Sequence, residues 1–391
     1  MNDIITTVID ESFDVRRHLA RMSAWKDEWS SEDEQLRARL RSLQTSKPLD
    51  RQLGRQIGRY RKRLRMRRVR EPLQIADKSL ETAEAFRLLR EHLARQFLSL
   101  TREERLFWLD NFIFIMTPDL WKLHNKMKKV LGYYSLGQQR NFLLGGHSGM
   151  GKSAYLDLLS ALNIPVVEEF RNRVPIIKVD APVSNASPKT LLRRMILECG
   201  LTYLKGDDEE DLLMQLDLFF QQCDTELIIV DEVEHISRPE MRRRLLDISN
   251  MTQGVPIICA SCRPRDWTIG DVEVAGRWND CFELPQYLGE RISDLLAFIE
   301  VLLPFTEASN LALLEVKSGA HMIDGPAKLI QQWTGGILRD IMLLIRDASQ
   351  QAIESGLPCL SPSLLDKTWK GIQASRVADF GSQQSQVADD E

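Results

Sequence analysis

The rhythm of apolar and polar positions changes twice along the chain. Residues 1 to about 110 carry apolar side chains at helical spacing with charges between them, as at Leu36, Leu40 and Leu43. Pro72 breaks that pattern, and a second helical stretch runs from about Lys78 to Leu98. From about Phe112, short apolar runs alternate with amphipathic stretches. Four runs stand out: Asn141–Leu144, Val174–Val179, Leu227–Val230 and Val255–Ala260. Runs of this length, rich in β-branched residues and separated by helical pattern, predict an α/β fold: a parallel sheet with helices on both faces. After about Tyr287 the runs stop. Residues 290–303, 308–316, 325–333, 337–355 and 361–370 read as amphipathic helices of a small all-α domain. The polar tail Gly381–Glu391 reads as disordered. The expected division is a helical N-terminal region (1–110), an α/β domain (111–286), a small helical domain (287–375) and a disordered tail (376–391).

Composition adds limits. A chain of 391 residues suggests two or three domains, and 43% hydrophobic residues supply ample core. The formal net charge of −4 excludes a globally basic nucleic-acid coat protein but not a local basic patch. Such a patch exists. Between Arg51 and Arg70 lie ten basic residues and no acidic one: Arg51, Arg55, Arg59, Arg61, Lys62, Arg63, Arg65, Arg67, Arg68 and Arg70. Like charges at this density repel unless an anion or an acidic surface meets them. Tyr60 is the only aromatic residue in the run, which argues against base stacking on single strands. Six cysteines are too few for a disulfide scaffold and suggest buried thiols in a reducing cytoplasm. No apolar run reaches the roughly 18 residues of a membrane span. Met1-Asn2-Asp3 lacks the basic and apolar regions of a signal peptide.

The sharpest motif is Gly146-His147-Ser148-Gly149-Met150-Gly151-Lys152-Ser153, which fits G-x-x-x-x-G-K-[ST] at every fixed position. It follows an expected strand and opens an expected helix, Ala154 to Leu162. Glycines allow the backbone to wrap phosphates, consecutive N–H groups form an anion nest, and the helix N-terminus adds positive potential. Lys152 would reach the β- and γ-phosphates of ATP, and Ser153 would ligate Mg²⁺.

Such a loop needs an acid at the end of a nearby strand. Leu227–Val230 runs directly into Asp231 and Glu232, about 80 residues later. Asp231 would hold Mg²⁺, and Glu232 would polarise the attacking water. The fourth run ends in Ser261, whose hydroxyl would reach the γ-phosphate or the water if that strand lies beside the first. Arg277, after the fourth strand, would project into a neighbouring subunit's nucleotide. Arg339, opening a helix after Gly335-Gly336, would touch the γ-phosphate from its own subunit. Each of these polar residues also has an ordinary structural reading, as a strand-end hydroxyl or a surface ion pair. Cys259-Ala260-Ser261-Cys262 has C-x-x-C spacing, but a zinc site calls for a second nearby pair.

The order of these parts resembles the AAA+ ATPases: P-loop, Asp-Glu after the third strand, a polar residue after the fourth, then a helical lid with Gly-Gly-x-x-Arg. Within them, residues from about Thr117 to Ile353 look like the TniB/TnsC family of transposition regulators. That resemblance rests on Thr117-Pro118, the loop Gly149–Ser153, Val179-Asp180-Ala181-Pro182, the helix Leu191–Leu197, Asp231–His235, and Arg277-Trp278 ahead of Phe282–Pro285. Ala260-Ser261 departs from the Gly-Thr expected in many relatives, and the long basic N-terminal region has no counterpart in a minimal member. The resemblance implies an ATP-dependent, DNA-binding regulator in the bacterial cytoplasm that assembles as rings or helical filaments on double-stranded target DNA. It implies partners too: a TniQ-like target-selection protein and a DDE transposase, whose insertion it stimulates.

Basic groups near a filament axis would contact phosphates rather than bases. Three sets are candidates: Lys189, Arg193 and Arg194; Arg238, Arg242, Arg243 and Arg244; and the 51–70 run with Arg61, Arg63 and Arg65. Two other readings share the loop. A nucleotide-switch scaffold of the STAND or secretion-ATPase type would bind protein, need no basic arm, and favour long C-terminal repeats. A replication initiator or helicase loader would carry a winged-helix module after the lid, and the residues after Lys370 are too few for one.

Overall fold

The computed structural model describes residues 7–24, 73–75, 83–111, 115–135, 141–163, 166–167, 172–182, 186–199, 207–236, 238–251, 255–263, 272–318 and 321–388. The Leu36–Leu43 pattern and the whole 51–70 basic run, with Arg61, Arg63 and Arg65, lie outside them. In chain order the strands are β1 (Thr7–Ile9), β2 (Leu73–Ile75), β3 (Phe142–Gly146), β4 (Val166–Val167), β5 (Asn172–Arg173) and β6 (Ile176–Asp180). They continue as β7 (Leu227–Asp231), β8 (Ile257–Ala260), β9 (Asp280–Leu284), β10 (Glu315–Ser318) and β11 (His321–Asp324). Among the described residues no helix is long and apolar enough to cross a membrane.

The chain divides into two compact units. One is built on Met116–Pro285 and contains a five-stranded sheet in the order β6-β7-β8-β3-β9, every pairing parallel and the whole flanked by helices. The four apolar runs are four of these strands, and the fourth does lie beside the first. All five residues of β3 and of β7 are buried, which is why they read as unbroken apolar runs. The fifth strand, β9, is an addition to the expected four. Of its residues only Leu284 is buried, and they include Asp280 and Glu283, so it shows alternation rather than an apolar run.

Local chemistry starts the helices of this unit. Asp208 accepts the N–H groups of Glu210 and Asp211 while Asp211 accepts that of Asp208, a reciprocal cap for Glu209–Gln222. Pro188 opens Pro188–Glu198, where its missing N–H costs nothing. The buried Asn141 joins sheet to helix: its amide donates to Ser249 Oγ at 2.9 Å and its carbonyl accepts from Ile257 N at 2.9 Å.

The second unit combines Thr7–Ala24, Leu73–Ile115 and Gln286–Glu391. The N-terminal helices, expected to stand apart, therefore share a unit with the C-terminal ones. They include strands as well, β1 pairing in parallel with β2 from Thr7↔Leu73 to Ile9↔Ile75. Trp108 explains the union. It is buried among the rings of Phe13, His18 and Phe97, and its indole N–H donates to Leu302 O at 2.8 Å. Gln96 adds a clamp, donating to Phe13 O and accepting from Val15 N, both at 2.7 Å.

Two expectations for the C-terminal part are corrected. It is not all-α: residues 308–316 form no helix, and β10 and β11 make an antiparallel hairpin there. Asn310 at φ 52° interrupts any helix at this point, and Glu315–Ser318 pairs with His321–Asp324. The last helix runs Pro362–Ala388, past the expected start of the tail at residue 376. Extending a formed helix adds hydrogen bonds without a new nucleation cost, and no proline intervenes. The six cysteines are free thiols, but only Cys223 and Cys259 are buried; Cys281, on the partly covered β9, is exposed.

Candidate functional site

The loop between β3 and the helix Lys152–Leu162 has the backbone its glycines permit. Gly149 sits at φ 84° and Gly151 at φ 93°, left-handed values that a β-carbon would oppose. Gly146 is constrained differently: a β-carbon there would lie 2.7 Å from Leu284 O of the adjacent β9. Gly151 caps the helix without a side-chain bond, so the first-turn N–H groups face the loop rather than a capping oxygen. His147 and Ser148 are exposed, Met150 is buried and anchors the loop, and Ser153 and Ala154 are half-buried in the first turn. Lys152 is buried, its Nζ donating to Gly146 O at 2.5 Å and His147 O at 3.0 Å. Burial pushes its ammonium below the ordinary lysine range, while Glu234, Cys262 and Asp231 pull the other way.

Asp231 ends β7 and is buried. Its Oδ1 accepts the Glu232 N–H at 3.0 Å, and its Oδ2 lies 3.3 Å from Lys178 Nζ. Glu232 adopts φ 59° and ψ 38°, an uncommon conformation for a side chain of this kind and a mark of local strain. Its carboxylate is exposed, 3.8 Å from His235 Nδ1. Ser261 is fully buried: its N–H donates to Leu144 O at 2.9 Å, holding it beside β3, and its Oγ accepts from Arg263 N at 3.0 Å.

Arg277 is exposed at the end of the short helix Val272–Arg277, while its neighbour Trp278 is buried. Arg339 belongs to the other unit, where its Nε is 3.0 Å from Asp340 Oδ1; Arg376 holds the same oxygen at 2.8 Å.

The basic sets divide. Lys189, Arg193 and Arg194 lie half-buried on Pro188–Glu198, and Arg194 donates to Asp180 O and Ala181 O at the end of β6. Arg244 pairs with Glu209 and Asp247, and Arg242 leans toward Ile236 O at 3.5 Å. Arg238 and Arg243 are exposed. Arg194, and Arg244 in its pairing with Glu209, thus have structural partners that sequence spacing did not disclose.

Three residues near the loop escaped the sequence reading. Lys178, in the middle of β6, ties Asp157 to Asp231. Glu234 faces Lys152 and accepts the Cys262 N–H at 3.3 Å, joining the loops after β7 and β8. The available signal was the lone lysine in Ile176-Ile177-Lys178-Val179, because a charge inside a buried strand requires a partner.

The arrangement suits a nucleotide with Mg²⁺. Backbone donors and a lysine converge at the loop, and a hydroxyl and a buried carboxylate stand near them. Among the described residues no group of three or more His, Cys, Asp and Glu gathers as for a metal held by protein alone.

Residues 136–264, about a third of the chain, match the AAA domain family (AAA_22). Among solved structures, the chain is similar to the ORC2 protein of Aeropyrum pernix in its ADP form, at 18% identity, over 62% of this chain and 67% of that one, with a TM-score of 0.42. It is also similar to Drosophila ORC bound to DNA, at 11% identity over 71% and 65%, TM-score 0.39. A RuvB variant of Thermotoga maritima follows at 15% identity over 67% and 70%, TM-score 0.38. No curated protein matches the chain.

Proposed function

We propose that this protein is an ATP-hydrolysing, DNA-binding regulator of DNA transposition. It assembles on duplex target DNA as a ring or helical filament and couples a TniQ-like target-selection protein to a DDE transposase. The observation that carries the ATPase part is the loop Gly146–Ser153, set between a buried strand and an uncapped helix with Lys152 and Asp231 converging on it. The transposition part rests on the string of family-like segments from Thr117-Pro118 to Phe282–Pro285.

In this reading the loop N–H groups and Lys152 bind the phosphates. Ser153 and Asp231 would hold Mg²⁺, whose positive charge would offset that of the transferred phosphoryl group. Glu232 orients the attacking water and takes its proton; its exposure leaves it accessible to that water. Ser261 steadies the same region from β8. Arg277, exposed, serves the nucleotide of an adjoining subunit, and hydrolysis sets the lifetime of the assembly on DNA.

Electron microscopy of the protein with duplex DNA and a non-hydrolysable ATP analogue tests the assembly. Ordered rings or filaments are expected only when both are present. Their absence with both present overturns the DNA-assembly reading. A transposition assay that gains nothing from the protein overturns the regulator reading.

A further inference from the structure

Three charges are buried together under the sheet end. Lys178 Nζ lies 2.6 Å from Asp157 Oδ1, on the helix that follows the phosphate-binding loop, and 3.3 Å from Asp231 Oδ2, at the end of β7. The side chains of Lys178, Asp157 and Asp231 are 6%, 11% and 5% exposed. Taking such a cluster out of water is costly, and apolar residues of like volume commonly hold a helix to a sheet at least as well. Stability alone therefore accounts poorly for a lysine in an otherwise apolar strand.

What the cluster delivers is orientation. Asp231 is held at both oxygens: Oδ1 by the Glu232 N–H and Oδ2 by Lys178. Lys178 is itself fixed by its closer contact to Asp157. The carboxylate so held is the one that the proposed function assigns to Mg²⁺, and the helix carrying Asp157 begins at Lys152. Groups that orient a metal-binding carboxylate govern metal affinity from one step away.

We infer that Lys178, anchored by Asp157, is a positioning residue that sets Asp231 for the Mg²⁺ accompanying ATP. The inference rests on the reading of Lys152, Ser153 and Asp231 as the ATP·Mg²⁺ site.

The test is equilibrium titration of the full chain with a fluorescent ATP analogue, in excess Mg²⁺ and in EDTA. The informative variant is Lys178→Met combined with Asp157→Asn, which removes one charge of each sign and leaves the net buried charge unchanged. Its analogue affinity in EDTA is expected to match the unmodified protein, while the gain conferred by Mg²⁺ falls about 10-fold or more. A purely structural pair would leave that gain unchanged, and an unchanged gain overturns the inference. Circular dichroism and thermal melting check that the variant folds. Should it not fold, Asp157→Asn alone carries the test: Lys178 loses its anchor, the Mg²⁺ gain falls by a smaller factor, and an unaltered gain overturns the inference. Lys152→Ala separates the two levels. If it binds the analogue as tightly as the unmodified protein, or if the unmodified protein does not bind, the site reading fails and the inference with it. If Lys152→Ala abolishes binding and the Lys178 variant keeps its full Mg²⁺ gain, only the inference fails.

Discussion

The sheet unit builds its core on one long stretch of chain, Met116–Pro285, whereas the helical unit gathers its core from three separate pieces. The difference separates chemistry from assembly. In the sheet unit the reactive groups stand on loops at strand ends, over a core that single changes at those loops leave intact. In the helical unit the N-terminal piece is part of the core itself, through Phe13, Val15, His18 and Leu19. A change that silences the first unit should spare its fold, and a change at the far N-terminus should damage the fold of the second.

The largest expected effect is at Lys152. Lys152→Ala should abolish ATP binding with little change in melting temperature, since the lost side chain bonds only its own loop's carbonyls among the hydrogen bonds described above. Unchanged affinity in an equilibrium titration would break the assignment. Next is Glu232→Gln, expected to keep ATP but slow hydrolysis by about 10²–10⁴-fold, the range for a lost general base. Phosphate release at the original rate would move the role elsewhere, with Glu234 the nearest other carboxylate on the same turn.

These two sites also show what could be read from the chain. The placement of Gly146–Ser153 and Asp231-Glu232 at strand ends was legible because the flanking strands are fully buried and read as apolar runs. β9 was not, because a partly covered strand lacks an apolar run. Arg194 and Arg244 read as candidate phosphate contacts, since Asp180, Ala181 and Glu209 are brought near them only by folding. The Trp108–Leu302 bond spans 194 residues, and no local pattern announces it.

Deletion sharpens the comparison further. Every loop residue lies after Gly145, so removing residues 1–72 would seem harmless to the ATPase. The structure predicts damage to the helical unit, because β1 and the Phe13 side of its aromatic cluster go with the deletion. Phe13→Ala alone should cost about 3–5 kcal/mol in denaturant unfolding. Replacing residues 25–72 by a short Gly/Ser linker should instead preserve the cluster. If the basic run contacts DNA, that replacement should flatten the salt dependence of duplex binding by about 0.9 in log–log slope per lost phosphate contact. An unchanged slope would assign the run to a protein partner.

The smallest effect is at Asp340. Burial pushes its carboxyl up, but hydrogen bonds from Arg339 and Arg376 outweigh this and hold it below the ordinary aspartate value of 3.8. A lowered folded pKa means that the pair's stabilisation is present above 3.8 and fades as pH falls toward the folded value. Asp340→Asn should therefore melt with a shallower pH dependence below about pH 4. Identical pH profiles would show that the two arginines contribute nothing through this carboxylate.

The parallel pairing of β1 with β2 sets a leash. Residues 25–72 leave the helical unit after Ala24 and return to it at Leu73, so the run Arg51–Arg70 is tethered at both ends rather than trailing from a terminus. Counting back from Leu73, Arg70 is at most about 10 Å of contour away and Arg51 at most about 75 Å. If the run meets an anion, chain length as well as affinity sets the effective concentration of capture. Lengthening or shortening the segment before Leu73 would tune that capture without altering a single charge.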